Sequence, residues 1–336
     1  MSFTAVSDLS QSLQNRRYNS QIKSDLNRLA QELTSGKQTD IAKAVGGDFR
    51  PLAGIETSLT SLDAYKLITT EAQQYTATMQ QSLEVVQTLS EDMSSTLLTS
   101  TDFTTQSSVR AAAREAEGKF ESVVSAINIS SSAGAIFAGA ETAGTALADA
   151  DTILSDIRTA IAGETTIAGI KTAIDDWFDT TGGGFETNAY LGSATARSDF
   201  KVNKAETVGI DVKADASEIR SVLKGLALAA LADDGIPLDQ PDNNSDLLDL
   251  SRSELLSATS GLVGLRAEIG SAEERIETAA VRNQAETASL QLARNNLIAA
   301  DPYDTATEIQ NLQTQLETLY AVTARLSQLS LVDYLR

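Results

Sequence analysis

"LLSATSGLVGLRAEIGSAEERIETAAVRNQAETASLQLARNNL", Leu255 to Leu297, is the stretch on which the fold turns. Leu255, Leu262, Ile269, Ile276, Asn283, Leu290 and Leu297 stand seven residues apart, and Ala258, Leu265, Ala272, Ala279, Glu286 and Ala293 follow at a constant offset of three. A four–three alternation kept up for about six heptads is the pattern of a long helix burying one narrow stripe against another helix. Two stripe positions are polar, Asn283 and Glu286. A polar seam residue can fix register; a locally bonded or solvated Asn is the ordinary alternative.

The N-terminal half supplies a mate. Ile68, Ala72, Tyr75, Met79, Ser82, Val86, Leu89 and Met93 alternate four and three, which predicts a second long helix from Leu52 to about Leu98. Outside both long helices the chain breaks and a shorter stripe follows. Ile22, Leu26, Leu29 and Leu33 run up to "TSGK", where Gly36 suits the left-handed residue that ends a helix. On the other side, "AADPYD" (299–304) stops the heptads at Pro302. Leu312, Leu316, Leu319 and Leu326 then form a final stripe, continued by Leu329 and Leu331. Two short helices bury too little to be stable alone. These ten residues are therefore expected to form an assembly interface with other copies of the chain.

The layout predicts a mainly α fold. Long antiparallel heptad helices form a rod-like bundle with a terminal helical pair and a small α+β insertion domain. The expected divisions are 1–45 (N-terminal core helix), 46–145 (first part of the bundle), 146–250 (insertion), 251–300 (C-terminal long helix) and 301–336 (C-terminal core helix). Within the insertion, "TVGIDVKA" (207–214) alternates like a strand.

Composition narrows the chemistry. Asp and Glu number 46 against 26 Lys and Arg, a net charge of −20 that disfavours nucleic acid and anionic membrane surfaces. There is neither Cys nor His, which removes thiol nucleophiles, imidazole bases, zinc and iron–sulfur sites. No catalytic residue, cofactor or metal site is expected. Met1–Ser20 lacks the order of a secretory signal, and no apolar run is long enough to span a membrane.

Four further stretches carry charged or glycine-rich residues. "DDWFD" (175–179) sets Asp175 and Asp179 on one helical face, but a catalytic pair needs a cleft that nothing nearby suggests. "GGGF" (182–185) lacks the Lys-Ser/Thr of a phosphate loop and reads as a flexible turn. "DDGIPLDQPDNNSD" (233–246) has carboxylates without EF-hand spacing and reads as a solvated loop. Arg16, Arg17 and Lys23 form a basic cluster suited to an acidic neighbour or to solvent.

Together these local sequences resemble the flagellin family of bacterial flagella, over roughly residues 1–145 and 250–336. "LNRLAQELTSGKQ" (26–38) is similar to the family's leucine-striped N-terminal helix with its Ser-Gly-Lys turn, here at Gly36. "INISSSAGAIFAGAET" (127–142) resembles the family turn motif, carried by Asn128, Gly134, Phe137 and Gly139. "LRAEIGSAEERIE" (265–277) resembles the C-terminal long helix, and the ending "LYAVTARLSQLSLVDYL" (319–335) the member at the hook–filament junction. Two stretches depart from the family pattern: "VGGDFRP" (45–51) keeps only Asp48, and Asp301 and Asp304 stand three apart.

The resemblance implies a structural axial subunit of the flagellum, extracellular and passed unfolded through the flagellar type III exporter. Its implied partners are copies of itself, a neighbouring hook-associated protein, flagellin and an export chaperone. The filament subunit itself, or a non-flagellar coiled-coil binding module, is the alternative.

Overall fold

The computed structural model describes residues 3–99, 105–131, 134–233 and 243–334. Its helices are α1 (Phe3–Ser35), α2 (Ile41–Ala44), α3 (Arg50–Thr99), α4 (Gln106–Ile127), α5 (Ala150–Ala160), α6 (Ile167–Asp179), α7 (Ser217–Ala230), α8 (Asn243–Leu297) and α9 (Pro302–Tyr334). The described strands are a two-rung hairpin, β1 (Ser130–Ser131) and β2 (Gly134–Ala135). The mainly α expectation is met. Helix starts follow side-chain chemistry: Thr105, Asp149 and Thr166 each accept a hydrogen bond from the backbone N–H three residues on.

The chain divides into two compact units, residues 64–283 and residues 1–63 with 284–336. Within the first, α3 and α8 run antiparallel, stitched by Gln73 Nε2 to Glu277 (2.6 Å) and Gln80 Nε2 to the Arg266 carbonyl (2.9 Å). Helix α4 returns along α3, with Ser82 Oγ on the Ala126 carbonyl, and α7 packs on α4. Met79, Leu83, Val86, Phe120, Val123, Leu226, Leu255, Leu262 and Ile276 fill the interior at 0% exposure. Every heptad position from Leu255 to Asn283 is buried, as the spacing demands. Beyond it the stripe weakens: Glu286 and Ala293 are exposed, Leu290 and Leu297 half-buried.

One expectation is met only in part. Val208, Ile210, Val212 and Ala214 are buried on alternate positions, yet the segment forms a single bridge, Phe200 to Val208, rather than a ladder. Alternation reports which side chains face a surface, and here that surface is side-chain packing without a neighbouring strand.

In the second unit α1 and α9 lie side by side. The turns at their adjoining ends pair across the sequence. Gln38 N donates to the Ile298 carbonyl (2.8 Å) and Ala300 N to the Gly36 carbonyl (3.0 Å), around an antiparallel bridge between Lys37 and Ala299. Gly36 closes α1 at φ 68°, a conformation that costs a residue with a Cβ about 1–2 kcal/mol. Asp301 opens α9 by accepting from the backbone of Tyr303 and Asp304.

Candidate functional site

The terminal pair presents apolar residues that its own unit only partly covers. Leu29 is buried at 2% exposure, whereas Ile22, Leu26, Leu312, Leu316 and Leu319 are half-buried and Leu33 is 42% exposed. Leu326, Leu329 and Leu331 lie outside the described side chains. Between α1 and α9 runs a groove of about 360 Å³ lined by Tyr18, Ile22, Thr314, Gln315, Thr318, Leu319 and Val322. Beside it, hydrogen bonds with Asn19 and Lys23 hold the Tyr320 hydroxyl below the ordinary tyrosine pKa. Arg16 and Arg17 are exposed just ahead of Tyr18. The site is an open, mostly apolar face for helix packing.

Under this face the end of α1 is fixed by a buried carboxylate. Glu32 Oε1 accepts from Arg28 Nη1 (3.0 Å) and from the Thr39 backbone N–H (3.0 Å). It thereby ties the last turn of α1 to the chain beyond the break. Nothing in the apolar spacing marked this residue. Its signal is a Glu inside a leucine stripe, three residues after Leu29.

The turn motif acts on its own unit. Asn128 mimics a backbone group: its Oδ1 accepts from Leu147 N (2.8 Å) and its Nδ2 donates to Leu147 O (3.0 Å). Gly134 has φ 96°, and a Cβ there would meet the Thr142 carbonyl at 2.5 Å. Gly139 has φ 64°, and its Cβ would meet the Thr195 carbonyl at 2.6 Å. Phe137 is fully buried, and its carbonyl accepts from Ala214 N. The glycines allow backbone approaches that no larger residue permits.

The Asp175–Asp179 face has a structural use. Both carboxylates reach the Lys224 ammonium, at 3.2 and 2.8 Å, and Glu254 adds a third at 3.2 Å. Burial works against the charge on Lys224. The bonds to Asp179 and Asp175 and the field of Glu254 more than offset it and raise its pKa above the ordinary lysine value. This buried lysine was missed because its partners lie far away in sequence. Neighbouring "GGGF" is shaped by Trp177, whose ring sits where a Cβ on Gly184 would go, so close packing governs this turn. Asn283 is buried and donates to the Val202 carbonyl (2.8 Å), which ties this seam position to a loop. Residues 234–242 of the acidic "DDGIPLDQPDNNSD" stretch lie outside the described residues.

Comparison with known proteins places these helices. Residues 255–335 match the family described as the bacterial flagellin C-terminal helical region. No curated protein matches the sequence. Among solved structures, one from Vibrio parahaemolyticus, described as a flagellar hook-associated protein, aligns over 73% of this chain and 95% of its own at TM-score 0.52 and 13% identity. That likeness is one of fold. The flagellin resemblance read from the sequence is thus matched over residues 255–335, and over 73% of the chain the likeness to the hook-associated structure is one of fold. Among the described residues, no helix is long and apolar enough to cross a membrane.

Proposed function

We propose that this chain is an extracellular axial subunit of the bacterial flagellum that joins hook to filament, a hook-associated protein 3. The observation that carries the reading is the terminal helix pair. Its stripes are left half-covered within the chain, and its C-terminal member belongs to the stretch matching the flagellin region. Copies pack through Ile22, Leu26, Leu29 and Leu33 of α1 and Leu312, Leu316, Leu319, Leu326, Leu329 and Leu331 of α9. The role is mechanical. A neighbouring hook-associated protein and flagellin lie on either side, and an export chaperone covers the stripes before export. A chain without cysteine suits unfolded passage through an exporter, since no disulfide can form on the way.

The match to a flagellin region equally favours a second reading, the filament subunit itself. Deleting the gene separates the two. Cells with hooks, no filaments and a different flagellin shed into the medium support the junction role. Missing filaments with nothing shed make this chain the filament subunit, and normal filaments overturn both.

A further inference from the structure

The groove face of α9 changes character along its length. Gln315, Leu319 and Val322 line the groove, and helical spacing carries the same face back to Glu308, Asp304 and the capping Asp301. These three acids are exposed, as are Arg16, Arg17 and Lys23 on α1. Among the described residues of this unit the ion pairs are Asp25–Arg28, Arg28–Glu32, Asp48–Arg50 and Glu56–Arg294, so neither set forms an ion pair.

Arg16 and Arg17 cannot reach these acids within one chain. With Lys37 opposite Ala299, and Tyr18 and Ile22 across the groove from Gln315 and Leu319, the two helices are antiparallel. Arg16 and Arg17 therefore stand level with the neighbourhood of Tyr320, about 16 residues or about 24 Å along α9 from Asp304. An ion pair needs about 4 Å. The helix dipole favours Asp301 and Asp304 at the start of α9, but it supplies no reason for unpaired arginines in so acidic a chain.

We infer that copies meet head to tail, with Arg16 and Arg17 of one copy against Asp304 and Glu308 of the next, shifted by about 24 Å along the helix axis. The inference rests on the terminal pair being an assembly face and specifies how that face is used. Such a contact is heterologous. Each copy keeps an unused cation set at one end and an unused acid set at the other, so it propagates into a ring or helix instead of closing as a two-fold dimer.

The full-length chain tests this, with assembly followed by light scattering. Arg16→Glu with Arg17→Glu should slow assembly roughly tenfold, and Asp304→Lys with Glu308→Lys should do the same. All four reversals in one chain should restore the rate to within about threefold. The chain has no cysteine, so mixed Arg17→Cys and Asp304→Cys proteins should form an intermolecular disulfide on oxidation. Reversals that leave a normally assembling protein unaffected, or an Arg17→Cys protein that links instead to Ala321→Cys, overturn the offset contact alone. A wild-type chain that never self-associates overturns the assembly reading with it.

Discussion

The two units are built from the same kind of helix and treat its apolar stripe in opposite ways. In residues 64–283 the seam closes inside the chain, from Met79 and Val86 on α3 to Leu255, Leu262 and Ile276 on α8. In the terminal unit Leu26 of α1 and Leu312, Leu316 and Leu319 of α9 stay half-covered. Charge divides likewise: the terminal unit has 13 acidic and 10 basic residues, the other 33 and 16. An almost neutral face can approach a copy of itself with little repulsion, whereas a strongly acidic one keeps copies apart. The difference teaches that a heptad stripe names a helix that needs a partner, while burial tells whether the partner is in the same chain.

If the first unit is self-sufficient, emptying its core must be costly. Phe120→Ala, at a fully buried position, should lose about 3–5 kcal/mol in denaturant unfolding of the monomer. A loss under about 1 kcal/mol would break the contrast between the units.

Lys224→Met comes next, at about 2 kcal/mol near neutral pH, because it strands three carboxylates while keeping the volume of the stem. Burial alone would raise the Asp175 pKa, but the bonds from Lys171 and Lys224 lower it below 3.8. A lowered carboxylate pKa lends stability that is present above the unfolded value and lost as the pH falls through the folded one. Lys224, with a raised pKa, contributes fully below 10.5 and loses its contribution at higher pH. The gap between wild type and variant should therefore narrow on acidification to pH ~3. Parallel unfolding curves across that range would show the cluster to be idle.

Gly36→Ala sharpens the comparison at its hinge. With φ 68° and no atom within 4 Å of a new Cβ, the cost is backbone strain alone, about 1 kcal/mol. It should appear as faster amide exchange at Gln38 and Ala300, with the core of the other unit unchanged. Smallest in stability is Leu319→Asp, under about 0.5 kcal/mol in the monomer because the site is already half-wet. Incorporation into assemblies should nonetheless be abolished, as pelleting would show. A variant that pellets normally removes Leu319 from the seam.

Much of this was legible in the heptads, for a physical reason. From Leu255 to Asn283 the seam depends on local spacing, which a sequence displays directly. Gly36 was readable in the same way, since a positive φ after a helix selects glycine. What stayed hidden depends on distant neighbours. Lys224 lies 45 residues from Asp179, and Glu32 looks like any helical glutamate until Thr39 turns back onto it. The alternation at 207–214 reported burial correctly and pairing wrongly, because a side-chain pattern carries no information about backbone partners.

The bridge between Lys37 and Ala299 also orders events in time. Gln38 and the carbonyl of Ala299 meet across a sequence separation of 261, and in an unfolded chain closing so long a loop is slow and entropically unfavourable. Once α3 and α8 have zipped together at Gln73 and Glu277, only the stretches 38–72 and 278–299 remain to be closed. That shortening lowers the closure cost by about 1.3 kcal/mol. Closure of the terminal unit is thus favoured after the other unit has formed, and it waits on synthesis of α9.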